Sequence, residues 1–453
     1  MNVYKKYNIY EDKLLNSYIQ NLENKYRIIN EEKKYEKLVN FSKNVDEPCS
    51  KWFRYREGFS NILVQDLIND SKINENDVLI DPFCGSGTTL LVGLKNKLNC
   101  FGMDVNPISI YLTNFKCKKF DNEIVTEYKK GIKDFSKKIL ELDLTDEYKD
   151  KYSIVEKYFS EKNYKSLIII KEYIDSIQNN KQLYDFFKIA YLCIIERTSN
   201  RKRDGNGLKT VETKIKDVFQ FFIDTLNCII QDIETMLIAN SRNGVAVLDT
   251  AENLKTEYDK IYNKKAKCII FSPPYANSFD YFESYKLEII LCDFAKDMKD
   301  INQFRRKAIS SFVGTKKNTN EYVPISKIAK EIEDKIEWKE NFTGKRDSRT
   351  RKVPNMLKGY FSDMENVISN CSKTLEKNGK VYIVVDQSSY IGKVVPTDLL
   401  LCDLAEKHDF SVEKIIVCRK ARTSSQQIKL FPYLNEILRE SILVLNKKGE
   451  INE

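Results

Sequence analysis

The sequence predicts an α/β fold: a mostly parallel sheet interrupted by a long helical insertion. Three observations predict it. Apolar runs rich in β-branched residues recur along the chain, and most are followed by a segment of helical period. The first strong run, VLID at Val78–Asp81, ends in an acid and a glycine turn before a helical pattern opens at Thr88. From about residue 116 to 242 the pattern becomes almost wholly helical, which is too long for a single crossover between neighbouring strands.

The elements follow in order. Residues 1–45 are charged and tyrosine-rich, and read as helical. KWFRYREGFSNILVQDLI, Lys51 to Ile68, joins aromatic and basic residues to a helical tail. VLID is the first strand. NCFGMD is the second, ending at Asp104, and Asn106-Pro107 starts the next helix. The insertion carries FFKIAYLCIIER and KDVFQFFIDTLNCIIQDIETMLI, with apolar residues three and four apart. Between these two lies RTSNRKRDGNGLK, read as a basic loop given flexibility by Gly205 and Gly207. GVAVL is the third strand and KCIIF the fourth. YFESYKLEIILCDF reads as a helix. Residues 296–358 are polar and basic with little period, and read as a loop-rich insert. A helix (YFSDMENVISNCSKTL), a fifth strand (GKVYIVVDQ) and another helix (TDLLLCDLAEKH) follow. SVEKIIVCRK and ESILVLNKK have no helical pattern between them, so they read as an antiparallel hairpin closing a seven-stranded sheet.

Composition narrows the chemistry. The 453 residues carry a formal charge of +9, which suits a polyanionic partner. The single histidine, His408, excludes a histidine triad or a multi-histidine metal site, and no metal is expected. Eleven cysteines are scattered without C-x-x-C spacing, and most, including Cys193, Cys268, Cys292, Cys402 and Cys418, read as buried thiols. The first residues are polar, and no apolar run reaches membrane-spanning length. A soluble, cytoplasmic chain with no membrane partner is expected.

The turn after the first strand, DPFCGSGTT, carries the strongest signal. Gly85 and Gly87 let the chain turn sharply and a ligand approach the backbone. The helix opening at Thr88 presents unpaired N–H groups to it. A P-loop would need Gly-Lys-Ser/Thr, and here Thr88 and Thr89 follow Gly87. A dinucleotide fingerprint would need a third glycine where Leu90 stands. Asp104 lies about twenty residues past the turn, where such folds bind ribose hydroxyls. The second signal is SPPY, Ser272 to Tyr275, directly after the fourth strand.

DPFCGSGTT resembles motif I of the amino-methylating DNA methyltransferases, the cytosine-N4 and adenine-N6 family. SPPY resembles their catalytic (S/D/N)PP(Y/F/W) motif. The resemblance implies a Rossmann-like methyltransferase fold and S-adenosylmethionine as cofactor. It assigns the cofactor to Asp81, Phe83, Gly85, Gly87, Thr88 and Asp104, with Asp249 accepting from the adenine amine. Lys51–Ile68 is similar to motif X, which would bring Phe59 and Ser60 to the methionine part. By the same resemblance Ser272, Pro273, Pro274 and Tyr275 are catalytic: Ser272 Oγ and the Pro273 carbonyl accept from the target amine, and Tyr275 stacks on the flipped base. No cysteine nucleophile in a Pro-Cys-Gln context exists, so methylation of cytosine carbon 5 is excluded.

The domains expected are an N-terminal helical segment at 1–45, a discontinuous catalytic domain at 46–115 and 243–453, and a helical subdomain at 116–242. Target recognition is expected in 296–358. Candidates for contact with double-stranded DNA are Arg197, Arg201, Lys202 and Arg203 in the first basic loop, and Arg346, Arg349, Arg351 and Lys352 in the second. Serine at the head of SPPY favours cytosine N4, in a restriction-modification or related defence system with a cognate restriction endonuclease as a candidate partner. Adenine N6 is the alternative, then an RNA base, and then a silent DNA-binding protein on the same fold.

Overall fold

In the computed structural model, residues 3–55, 57–139, 141, 150–204, 207–236, 243–314, 321–421 and 423–449 are described. Gly205, expected to make the first basic loop flexible, lies outside them. The organising element is one eight-stranded sheet. Its strands in chain order are β1 (Ile28–Asn30), β2 (Val78–Asp81), β3 (Asn99–Asp104), β4 (Gly244–Leu248), β5 (Ala266–Phe271), β6 (Leu375–Asp386), β7 (Phe410–Lys420) and β8 (Arg439–Lys447). They lie side by side as β4-β3-β2-β5-β6-β8-β7-β1. Only β8 runs against its neighbours; the other pairings are parallel. This is the Rossmann-like methyltransferase fold, with the seven expected strands in place.

The eighth strand, β1, adds to the outer edge of β7. It comes from the N-terminal segment read as wholly helical. Three residues are too few to show a period of two, and only pairing with β7 makes Ile28–Asn30 a strand.

Alternation along each strand divides the core into two faces. Ile80, Phe101, Met103, Ile269, Phe271, Ile383 and Leu443 pack with the helices Lys13–Lys25, Val353–Thr374 and Thr397–Glu406. Leu79, Cys100, Cys268, Ile270, Val384 and Ile442 pack on the other face with Asn61–Ser71 and Thr88–Lys95. All eleven cysteines are free, and every one except Cys228 is buried.

The insertion builds a core of its own from the helices Asn122–Lys138, Glu161–Ser176, Lys181–Thr198 and Val218–Met236. Tyr128 stacks on Phe186 with ring centroids 4.1 Å apart. Trp52, Phe53, Tyr55 and Tyr285 join this core from the catalytic part of the chain. The basic loop after Lys181–Thr198 is a two-stranded hairpin, Arg201–Asp204 against Gly207–Thr210.

The region 296–358 departs from the loop-rich expectation. It contains the helices Met298–Lys307, Val323–Asp334 and Ile336–Thr343. Ile325, Ile328, Ala329 and Ile332 are buried at helical spacing, but the dense charge between them hides the period. The last hairpin also differs in detail, because its connection carries the short helices Ser425–Leu430 and Leu434–Ile437.

Candidate active site

Strand order places the site. After β2 the chain crosses to β3 on one side, whereas β5 joins β2 on the other. The order therefore reverses between β2 and β5, and ligands bind beyond the carboxyl ends of strands at such a point. Leu79 pairs with Cys268 and Ile80 with Ile269, so the glycine turn and SPPY leave the same edge of adjacent strands. A cavity of about 270 Å³ opens there. Phe83, Asp104, Ser272, Pro273, Pro274 and Tyr275 line it together.

The glycine turn is held from within. Asp81 is buried, accepting from Thr89 Oγ1 at 2.6 Å and from the Phe83 N–H at 3.0 Å. Burial, with Asp104 nearby, pushes its carboxyl up to about 7. Gly87 has φ +85°, and a Cβ there would lie 2.8 Å from Thr113 Oγ1. Gly85 has φ +49°, and its Cβ would meet the Tyr55 ring at 2.8 Å. Thr88 is buried in the first helical turn. Asp81, Gly85, Gly87 and Thr88 thus shape the wall, and Phe83, packed on Phe271, presents a ring to the cavity.

Asp104 accepts from the Gly85 N–H at 3.0 Å and the Asn106 N–H at 2.8 Å. Burial outweighs these donors and raises its carboxyl to about 6. Asn106 lines the cavity with a buried Nδ2 that has no hydrogen-bond partner.

The lead-in segment reaches the cavity through Tyr55, Glu57 and Gly58. Phe59 is in the core. Ser60 is fully buried and caps Asn61–Ser71, accepting from the Leu63 N–H at 3.1 Å. Asp249 lies past β4, outside the cavity lining, and accepts from Thr250 N–H and Asn253 Nδ2.

At SPPY, Ser272 Oγ donates to the Val384 carbonyl at 3.1 Å and lies 3.3 Å from the Tyr275 hydroxyl. Tyr275 donates to Glu440 Oε1 at 2.8 Å. The following turn is pinned by Tyr390, which donates to the Ala276 carbonyl at 2.7 Å. Arg419 and Glu440, from β7 and β8, complete this wall. Sequence reading missed both. No sequence signal singled them out, because β7 also carries Glu413, Lys414 and Lys420, and β8 also carries Arg439 and Lys447.

A family model for N6/N4 DNA methylases, described as DNA methylase, matches residues 2–115. The chain is 28% identical to the Type II methyltransferase M.BsoBI of Geobacillus stearothermophilus, over 91% of this chain and 88% of that protein. It is 26% identical to the Type II methyltransferase M.AvaI of a Nostoc strain, over 91% and 89%. Among solved structures, TrmN from Thermus thermophilus aligns with 85% of this chain and 48% of its own, at 8% identity and a TM-score of 0.29. The family model and these two relatives support an amino-methylating DNA methyltransferase of the N4/N6 family.

Its cofactor is S-adenosylmethionine, and the cavity fits that group. The orphaned Asn106 donor and the Asp104 carboxylate offer polar partners, and Phe83 an apolar face. No cluster of side chains suited to a metal ion occurs among the described residues, nor any helix long and apolar enough to cross a membrane.

For this DNA methyltransferase the basic candidates divide. Arg197 and Lys202 are exposed; Arg201 is half-buried over the Tyr158 ring. Arg203 is buried instead, paired with Glu196 and Glu288 and stacked 4.2 Å above Tyr285. That pairing makes it a structural residue and removes it from the DNA-facing set. Arg346, Arg349, Arg351 and Lys352 are exposed. Arg351 forks onto Glu340, and Arg349 Nη2 donates to the Ser278 carbonyl at 2.9 Å, three residues past SPPY.

Proposed function

We propose that this enzyme methylates the exocyclic amine of a flipped cytosine in double-stranded DNA, giving N4-methylcytosine. The observation that carries the reading is the meeting of the SPPY corner, with serine at its head, and Asp104 in one cavity.

The amine is a poor nucleophile because its lone pair is delocalised into the ring. Ser272 Oγ and the Pro273 carbonyl accept from its two N–H bonds and favour a pyramidal nitrogen. Pro273 and Pro274 have no N–H and a fixed φ, so the acceptors stay aimed without reorganisation during reaction. Tyr275 and the walls receive the extruded base; leaving the stack costs a few kcal/mol, which these contacts offset. Asp104 holds the ribose diol, Asn106 donates to a polar edge, and Phe83 covers an apolar face. S-adenosylmethionine, when bound, supplies an electrophilic methyl group on sulfur.

Arg197, Arg201, Lys202, Arg346, Arg349 and Lys352 contact the DNA, with Arg349 held against the turn that follows SPPY. The Type II description of both relatives supports a cytoplasmic restriction-modification setting with a cognate endonuclease.

The test is transfer of labelled methyl to duplex DNA, followed by digestion to nucleosides and mass analysis. N4-methylcytosine is expected. N6-methyladenine would overturn the choice of base, and label appearing only in transfer RNA would overturn the substrate. Ser272→Ala should remove most transfer and leave cofactor affinity intact; full turnover in that variant would sink the assignment of SPPY.

A further inference from the structure

The chemistry at SPPY leaves a proton to be disposed of, and the wall behind it holds a chain of groups that leads away from the amine. Phe271 pairs with Ile383 across β5 and β6, which brings Ser272 beside Val384. The Ser272 hydroxyl has one proton and two acceptors within reach, the Val384 carbonyl and Tyr275 Oη. Tyr275 in turn donates to Glu440 at 2.8 Å. Glu440 is 1% exposed, so it is no casual surface partner. Its cross-strand neighbours are Arg419 on β7, which donates to Glu440 Oε2, and Asp386 on β6. Asp386 Oδ1 is buried without a hydrogen-bond partner.

We propose that Ser272, Tyr275 and Glu440 form a proton relay that removes the amine proton during methyl transfer. This rests on the reading of Ser272 as an acceptor for the target amine. The amine nitrogen bonds to the methyl carbon as the carbon–sulfur bond breaks, and sulfur keeps the electron pair. The nitrogen then carries one proton too many. That proton passes to Ser272 Oγ, the serine proton passes to Tyr275 Oη, and the tyrosine proton passes to Glu440 Oε1. Glu440 begins as a carboxylate and ends as a carboxylic acid, and no oxidant or further reactant is needed. Because Glu440 lines the cavity, the proton leaves to water once product departs.

The surroundings suit an acceptor of this kind. Burial raises the Glu440 carboxyl above the usual range, while Arg419 favours its ionised form. Burial and the Glu440 charge raise Asp386 further, so Asp386 is the acid of the pair that keeps its proton. The groups facing Glu440 are Arg419 from β7, Asp386 from β6, and Tyr275 with Ser272 from the corner. Behind Asp386 lies Asp398, held by Arg439 and Gln387. The relay needs ionised Glu440, so turnover falls as pH drops through its raised pKa.

Tyr275→Phe and Glu440→Gln separate the relay from packing. Tyr275→Phe keeps the ring and removes only the transferable proton. Both should lower the single-turnover methylation rate about 100-fold, the low end of what a positioned base contributes. Affinities for S-adenosylmethionine and for DNA should stay at the wild-type value, and the acid limb of the rate profile should disappear. The relay is overturned if Tyr275→Phe keeps the wild-type rate and acid limb, or if its rate falls only in step with ligand affinity. Should Glu440→Gln fail to fold, Tyr275→Phe decides alone. Ser272→Ala separates the two levels: loss of transfer there with a normal Tyr275→Phe rejects the relay only, whereas full turnover in Ser272→Ala rejects the acceptor reading and the relay with it.

Discussion

Asp104 joins the glycine turn to the cavity, and its protonation should be readable in cofactor binding. Buried at the end of β3, its carboxyl is raised to about 6 although two backbone N–H groups point at it. An unfolded aspartate titrates near 4. Between those two values the folded chain holds a proton that the unfolded chain has lost. Stability contributed by this group is therefore full below about pH 4 and declines as pH rises through about 6. The proposed binding of the ribose diol has the opposite sign, because only the carboxylate accepts from both hydroxyls. Affinity for S-adenosylmethionine should be constant above pH 7 and weaken as pH falls below about 6. Asp104→Asn should bind more weakly throughout and lose that limb. Calorimetric titration between pH 5 and 8 checks it; an unchanged limb in the variant would assign it to another group, such as Asp81.

Among the turns, two glycines with similar backbone angles separate strain from crowding. Gly344 has φ +64° and open space where a methyl group would stand, whereas Gly87 has φ +85° with Thr113 Oγ1 2.8 Å from the position of a Cβ. Alanine at either must adopt a left-handed conformation, at a cost of about 1–3 kcal/mol. Gly87→Ala must also displace Thr113, which accepts no easy shift because its hydroxyl donates to the Gly85 carbonyl at 3.1 Å. Denaturant titration should therefore show Gly87→Ala as the more destabilised of the two, and only that variant should lose cofactor affinity. Equal losses would mean that the turn relaxes around Thr113. This turn was legible in sequence because its glycines answer a local demand. So was the place of SPPY at the cavity, because its four residues are contiguous and directly follow a strand. Arg419 and Glu440 were not legible, because their meeting depends on the register of β7 against β8. Nor was Asp386, brought opposite Glu440 by the β8–β6 pairing. The resemblance to motif X brought Ser60 toward the cofactor, and its hydroxyl caps its own helix; local pattern missed β1, which exists only as a partner of β7.

At the scale of the whole molecule, the helical insertion is bolted to the catalytic part through Arg203. Its guanidinium reaches Glu196 on the insertion and Glu288 beyond SPPY, donates to the Ser284 carbonyl at 3.0 Å, and stacks on Tyr285. Tyr285 stacks on Tyr55, which lines the cavity, so this junction supports a wall of the active site. Sequence alone grouped Arg203 with Lys202, since neighbouring basic residues in a hairpin look alike; alternation in Arg201–Asp204 sends them to opposite faces. The two should respond differently to truncation. Arg203→Ala leaves Glu288 buried beside no cation, and breaking a buried pair in this way costs about 3–5 kcal/mol. Glu288→Ala placed in the same chain should recover part of that loss. Lys202→Ala should leave the unfolding midpoint in place, weaken DNA binding, and reduce the slope of affinity against salt by about one. Thermal unfolding beside DNA titrations at several salt concentrations distinguishes them. An Arg203→Ala chain with unchanged stability and a reduced salt slope would return Arg203 to the DNA-facing set and leave the insertion anchored by its apolar core.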